Sequence, residues 1–148
     1  MYDNLRSYSV GDFLSQEYWS SSEYNSGNAW YQDFNGGTQT YGGKTGSSFH
    51  VRAMRSFTAD AASYDLRDAG PSGGWIFYKS GSSGTVTFYE AAPVDQEDSL
   101  WSNVGFPNLI GTTGTAINTG LANTNAIVGQ AGHTSSGAQL CLDYSCLH

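Results

Sequence analysis

The sequence predicts an α+β fold of many short antiparallel strands with two small helices, and three observations carry that expectation. Nineteen glycines and only 13% charged residues argue against long helices and against charged disorder. Apolar and polar residues alternate with period two over several short stretches, punctuated by Gly/Asn/Ser clusters at hairpin spacing. Helical spacing is confined to the C-terminal part of the chain. At 148 residues and 39% hydrophobic content, one domain with a real core is affordable.

Residues 1–6 read as the last turn of a helix and residues 7–16 as irregular chain around Phe13 and Leu14. Residues 18–24 form a short strand that ends in a turn at Asn25-Ser-Gly-Asn28. From 29 to 35, Trp30, Gln32 and Phe34 alternate with Ala29, Tyr31 and Asp33, the period of a strand. Asn35-Gly36-Gly37 supplies positive-φ residues for a tight hairpin, and residues 38–41 return along it. After a loop carrying Lys44, residues 48–57 read as a strand, with Phe49, Val51 and Ala53 on one face and His50, Arg52 and Met54 on the other.

The Ala/Ser/Asp-rich stretch over 58–67 reads as a connector. Gly70-Pro-Ser-Gly-Gly74 turns into the apolar strand Trp75-Ile-Phe-Tyr78, and Gly81-Ser-Ser-Gly84 closes a second hairpin onto residues 85–90. Residues 91–109 read as a loop anchored by Trp101. Thr119 is the expected N-cap of a helix over 120–130, with Leu121, Thr124, Asn125 and Val128 at helical spacing. A second helix over 135–144 is expected to bury Ala138, Cys141 and Leu142.

Charge narrows the partners. The net charge is −7 with six Lys and Arg, so nothing is present to neutralise the phosphates of a nucleic acid. Anionic membranes and sulfated glycans are disfavoured on the same ground. Neutral glycans, protein receptors and bound cations remain open. Met1-Tyr-Asp-Asn-Leu5 lacks the basic start and apolar region of a signal peptide, and no apolar run approaches the ~20 residues of a membrane helix. Work outside a cell then implies release by lysis or membership of a longer chain.

Chemical motifs are sparse, and no catalytic residue is expected. His50, His133 and His148 have no zinc spacing. Gly70-Pro-Ser-Gly-Gly74 spells Gly-x-Ser-x-Gly but leads into an apolar strand where a nucleophile elbow needs a helix. Gly43-Lys-Thr45 lacks the upstream glycine of a phosphate-binding loop, Thr38 standing in its place. The acidic loop Asp95-Gln-Glu-Asp98 offers oxygen ligands for calcium but lacks EF-hand spacing, and a solvated loop is the plainer reading. No other cofactor is expected. Cys141 and Cys146 are compatible with a small-loop disulfide or with two buried thiols.

Several motifs together resemble a known family. Tyr18-Trp-Ser-Ser-Ser-Glu-Tyr24, Ala29-Trp-Tyr31 and Val51-Arg-Ala-Met-Arg-Ser-Phe57 resemble the C-terminal half of a bacterial and phage domain family, named for the C-terminal domain of collagen-like bacterial adhesins. Asp68-Ala-Gly-Pro-Ser-Gly-Gly-Trp-Ile-Phe-Tyr78, Glu90-Ala-Ala-Pro-Val-Asp-Gln96, Gly114-Thr-Ala-Ile-Asn-Thr-Gly120 and Ala138-Gln-Leu-Cys141 resemble its N-terminal half. The resemblance implies a C-type-lectin-like fold, the fold of formylglycine-generating enzymes and of the variable receptor-binding proteins of diversity-generating retroelements. Cys141 and Cys146 do not sit in the oxidase motif of those enzymes.

The halves stand in reverse order, with residues 1–57 like the end of the family domain and residues 68–148 like its beginning. A permuted single domain, a window from a tandem array, and half-domains completed by neighbouring chains all give that order.

Residues 18–57 are the densest aromatic region of the chain. The resemblance places Trp19 and Trp30 at core positions, and Phe34 is expected with them. The polar aromatics and amides Tyr24, Asn25, Asn28, Tyr31, Gln32, Asn35, Gln39 and Tyr41 are the expected ligand-binding residues, because tyrosine gives large contact area at small entropy cost. The expected function is a non-enzymatic module at the extracellular, cell or virion surface, such as part of a phage tail fibre. It would bind a receptor glycan or protein, or mediate adhesion, within an oligomeric assembly. The alternative is a self-assembling structural subunit of a filament, fibre or tandem array, its half-domains completed by neighbouring copies.

Overall fold

The computed structural model describes residues 1–145, and over these the chain is α+β, with eight strands in antiparallel sheets and two short helices. Strands β1 (Glu17–Glu23), β2 (Asn28–Asp33) and β3 (Gln39–Gly43) form one sheet in that order. β4 (Ser48–Phe49) pairs with β8 (Ser99–Leu100). β5 (Met54–Asp60), β6 (Trp75–Ser80) and β7 (Thr85–Ala91) form a second three-stranded sheet, with β7 in the middle. The helices are α1 (Gly120–Val128) and α2 (Gly137–Ser145). Among the described residues no helix is long and apolar enough to cross a membrane.

Both hairpins follow the turn chemistry. The β2–β3 turn closes through Gly37 at φ 77°, and Gly81-Ser-Ser-Gly84 joins β6 to β7. The strand expected over 48–57 breaks in two, because Val51, Arg52 and Ala53 are buried in succession, which a strand with one solvated face does not permit. β5 then runs past residue 57 to Asp60, which pairs with Thr85.

The inward face of α1 also differs from the expected one. Its buried residues are Asn123 and Ile127, while Leu121 is 69% exposed. Asn123 holds that position because its amide satisfies both backbone groups of Gly114, donating to the carbonyl at 2.7 Å and accepting from the N–H at 2.8 Å. Thr119 stands at the N-cap position, as expected, but its side chain makes no capping bond; its hydroxyl donates to the Ala116 carbonyl at 2.8 Å. In α2, Ala138, Cys141 and Leu142 are half-buried, and burial pushes the Cys141 thiol up to about 12. Cys146 and His148 lie outside the described residues.

The apolar interior is divided among three clusters. Leu5, Phe13, Tyr18, Phe34, Phe77 and Ala91 form the first, and Ala61, Ile76, Val86 and Phe88 the second. Ala29, Trp101 and Ile127 form the third. The first and third each draw residues from before 57 and after 68, so the two parts of the chain pack on one another.

The glycine turn ahead of β6 is fitted to the sheet it caps. A Cβ on Gly70 would fall 1.6 Å from Oε2 of Glu90, and one on Gly74 would fall 2.3 Å from the Ala91 carbonyl oxygen. The Glu90 side chain is buried there, with Oε1 accepting from Nε of Arg55. Gly74→Ala is therefore expected to cost about 1–3 kcal/mol through a clash with backbone that cannot yield. Gly46→Ala, whose Cβ would meet nothing within 4 Å, should stay within about 0.5 kcal/mol in the same chemical-denaturation experiment.

Candidate functional site

The pairing of β2 with β3 decides which rings face outward. Trp30 lies opposite Tyr41 and Gln32 opposite Gln39, so these four side chains share one face of the sheet. Tyr24 follows directly on β1, and its ring stacks on Tyr41 with centroids 3.9 Å apart and planes 6° apart. Trp30 stands edge-on to both, at 84° to Tyr24 and 89° to Tyr41. Tyr24 and Tyr41 are 45% and 46% exposed. Beside this trio opens a concavity of about 300 Å³ lined by Ser20, Ser22, Trp30, Gln32, Gln39 and Thr115. Tyr31 also reaches its wall.

Among the described residues no carboxylate or cationic side chain lines the concavity; its polar groups are hydroxyls and amides. The Ser22 hydroxyl donates to the Gly114 carbonyl at 2.8 Å, and Oγ of Ser20 accepts from the Ser22 N–H at 3.2 Å. The Gln32 amide nitrogen reaches the carbonyls of Asp33 and Thr38, each at 3.3 Å, which leaves its oxygen available to a ligand.

The loop that brings Thr115 to the site is tied to β1 by a buried ion pair. Nζ of Lys44, a side chain with none of its surface exposed, donates to Oε1 of Glu23 and lies 5.0 Å from the Trp101 ring centroid. The same carboxylate accepts the N–H groups of Ile110 at 2.9 Å and Gly111 at 2.8 Å. Two residues further, the Glu23 N–H donates to Oγ1 of Thr113 at 2.9 Å. Burial alone pushes the Glu23 carboxyl up, but the Lys44 hydrogen bond and the two backbone donors outweigh it and hold it below its ordinary value.

A second polar hub lies around Arg52. Its guanidinium donates to Asp95 and to the carbonyls of Gly11 at 2.8 Å and Ala92 at 2.9 Å, with the Phe13 ring 4.1 Å away. The Tyr18 hydroxyl donates to Asp95 at 2.7 Å, and burial followed by that bond pushes the phenol up to about 12. Asp98 pairs instead with Nδ1 of His50, and Oε1 of Gln96 accepts the Ala53 N–H. The acidic loop thus turns its side chains to different partners. Among the described residues, no three His, Cys, Asp or Glu converge on a point where they could hold a metal ion.

The expected ligand-binding residues separate into four groups. Tyr24, Gln32, Gln39 and Tyr41 gather around the concavity. Asn25 and Asn28 are occupied in their turn, where Oδ1 of Asn25 accepts the N–H groups of Gly27 and Asn28, each at 2.9 Å, and the Asn28 amide at 3.0 Å. Asn35 is exposed in the hairpin turn beyond Gln32, its N–H donated to Asp33. Tyr31 packs on the opposite face, 4.7 Å from the Phe49 centroid and 6.1 Å from that of Trp19.

Of the rings expected in the core, Phe34 is buried, and Trp19 is half-buried with its indole N–H donated to the Ser99 carbonyl at 2.8 Å. Trp30 is a correction. It is half-buried on the outer face, and the inward residue at that point of β2 is its neighbour Ala29. Ser20, Ser22 and Thr115 were not expected at the site. The period-two spacing of Tyr18, Ser20 and Ser22 points to the two serines, but no local signal brings in Thr115.

Comparison of the chain with protein-family models, with curated proteins and with solved structures finds no match.

The buried ion pair has a measurable signature. Lys44→Met strands the Glu23 charge and is expected to cost about 3–5 kcal/mol in equilibrium denaturation. Because the folded Glu23 carboxyl lies below its ordinary value of 4.5, its ionised form stabilises the fold above that value. That contribution is lost as pH falls through the lowered folded value. Glu23→Gln should therefore show lower stability at neutral pH and a shallower decline with acid than the unsubstituted protein.

Proposed function

We propose that the chain is a non-enzymatic binding module of C-type-lectin-like fold, working at an extracellular, cell or virion surface and presenting the outer face of the β1–β2–β3 sheet to a ligand. One observation carries the reading: three rings in mutual contact, two of them nearly half exposed, border an uncharged concavity whose hydroxyls and amides point to no reaction. Rings that already hold each other lose little freedom on binding, which favours affinity.

The interior ionisable groups support the non-enzymatic part. Glu23 is engaged by Lys44, Asp95 by Arg52 and Tyr18, Glu90 by Arg55, and Asp98 by His50. Each has a partner through at least one atom, and among the described residues none lines the concavity, while Oε2 of Glu90 is buried without a hydrogen-bond partner. The Cys141 thiol, raised by burial, is a poor nucleophile at neutral pH. The lectin-like part rests on the short antiparallel strands, the two short helices and the motifs set out above. β5 pairs with β7 and β4 with β8 inside one chain, which favours a closed module over half-domains completed by neighbours.

The test uses binding of the fluorescently labelled protein to a panel of bacterial and animal cells by flow cytometry. Trp30→Ala and Tyr41→Ala are expected to lower binding at least tenfold while unfolding midpoints barely move. Tyr31→Ala, whose ring packs on Trp19 and Phe49 as well as reaching the wall of the concavity, is expected to lose about 2 kcal/mol of stability and so does not serve as a binding control. Binding that is indifferent to Trp30 and Tyr41 removes this face from consideration. Polymers in light scattering in place of a uniform small species would favour the self-assembling alternative.

A further inference from the structure

Resting on that reading, we propose that the concavity takes an uncharged sugar ring, the terminal pyranose of a neutral glycan, in preference to an anionic glycan, a nucleotide or a peptide. Four features lead there. The wall holds no cation to meet a phosphate, sulfate or carboxylate, and the net charge of −7 repels anions before contact. The groups left free for a ligand both donate and accept: the Ser20 hydroxyl, whose oxygen already accepts from the Ser22 N–H, the Gln32 carbonyl oxygen, the Gln39 amide and the Thr115 hydroxyl. Ring hydroxyls of a sugar, each donor and acceptor at once, match such a set; a peptide edge with its fixed alternation does not.

The third feature is Trp30, held upright by edge contacts with Tyr24 and Tyr41 at 5.0 and 5.9 Å. The electron-rich face of an aromatic ring attracts the partly positive C–H groups on the apolar side of a pyranose. The fourth is size. About 300 Å³ lies at the lower end of the range for small-molecule sites, room for one ring and its first linkage. A site this shallow binds weakly alone and gains from several copies acting together.

The test displays the biotinylated protein on tetrameric streptavidin over a printed array of neutral glycans and of their sialylated and sulfated counterparts. Hits are titrated as methyl glycosides by ligand-observed NMR. Neutral glycans are expected to bind, with less than twofold change between about 50 mM and 500 mM salt, because no charge pair forms for ions to screen. Sialic acid or sulfate on the terminal ring is expected to weaken binding at least tenfold. Trp30→Ala and Gln39→Ala should each reduce it similarly with unchanged unfolding midpoints, whereas Leu121→Ala on the exposed side of α1 should not.

Binding confined to charged glycans, binding to none, or glycan binding that survives Trp30→Ala would each overturn the proposal. A peptide added to the free edge of β3 would bypass the concavity and so survive that substitution. If glycan binding is absent while cell binding still depends on Trp30, the sugar assignment falls and the binding module stands. If neither depends on Trp30, both fall.

Discussion

A lysine with none of its side chain exposed is the constraint on which the rest of this fold depends. Withdrawing an ammonium from water costs several kcal/mol, so Lys44 is tolerable only where its surroundings return as much. They do so through the Glu23 carboxylate and the nearby face of Trp101. Glu23 in turn fills its remaining acceptor sites with the N–H groups of Ile110 and Gly111. Three distant segments must therefore meet at one point: the end of β1, the loop after β3, and the chain from 101 to 111. Two indole bonds close the same seam reciprocally, Trp19 donating to the Ser99 carbonyl and Trp101 to that of Ser20. With Glu23 fixed, the next residues of the loop fall beside Ser22, and Thr115 arrives at the concavity as a consequence.

Arg52 does the same work on the opposite flank. Its guanidinium joins the N-terminal segment at Gly11 to the chain after β7 at Ala92 and Asp95. Tyr18 adds a third attachment, donating to Asp95 while accepting the Leu14 N–H at 3.0 Å. The two hubs compensate for a divided interior. None of the three apolar clusters is large, and sheets this short bury little area by themselves. Charge-assisted hydrogen bonds, each worth roughly 1.5–3 kcal/mol when well partnered, join the layers where apolar contact is thin. They also specify geometry, because a buried charge accepts only the arrangement that satisfies it.

How much was legible in the sequence follows from this division. Local chemistry was readable: the turns at Asn25–Asn28, Gly37 and Gly81–Gly84 and the strands they bound depend on near neighbours. Trp101 was readable as a loop anchor from its size, although its partners Ser20, Ala29 and Ile127 are distant. The strand over 48–57 failed because Arg52 answers to Asp95, forty-three residues away, and the segment gives up its alternation to meet it. α1 was turned because Asn123 answers to Gly114 and not to the apolar pattern around it. At the site, the even-numbered outer face of β2 was visible in the alternation itself. Trp30 was assigned inward by the family resemblance, although Ala29 leaves the space that Trp101 and Ile127 fill. Thr115 was beyond reach, since only non-local contacts, those of Glu23, Ser22 and Asn123 with residues 110–114, bring it there.

The aromatic richness of residues 18–57 is therefore two populations with separate roles. The inner rings, Trp19, Tyr31 and Phe49, meet at 4.4 to 6.1 Å and lock β1 and β2 against β4. The outer rings, Tyr24, Trp30 and Tyr41, contact one another in place of the core. Rings that only filled space would be drawn inward, where each gains most from leaving water. Leaving two tyrosines nearly half exposed gives up part of that gain, and their mutual stacking, about 0.5–1.5 kcal/mol, returns only a fraction of it. Charge is kept off this surface: Glu23 is turned into the interior, and Asp95 and Asp98 lie beside Arg52 and His50. An uncharged, pre-stacked aromatic surface beside a polar concavity is an arrangement that stability alone does not require, and the proposed recognition of an uncharged ligand would account for its cost.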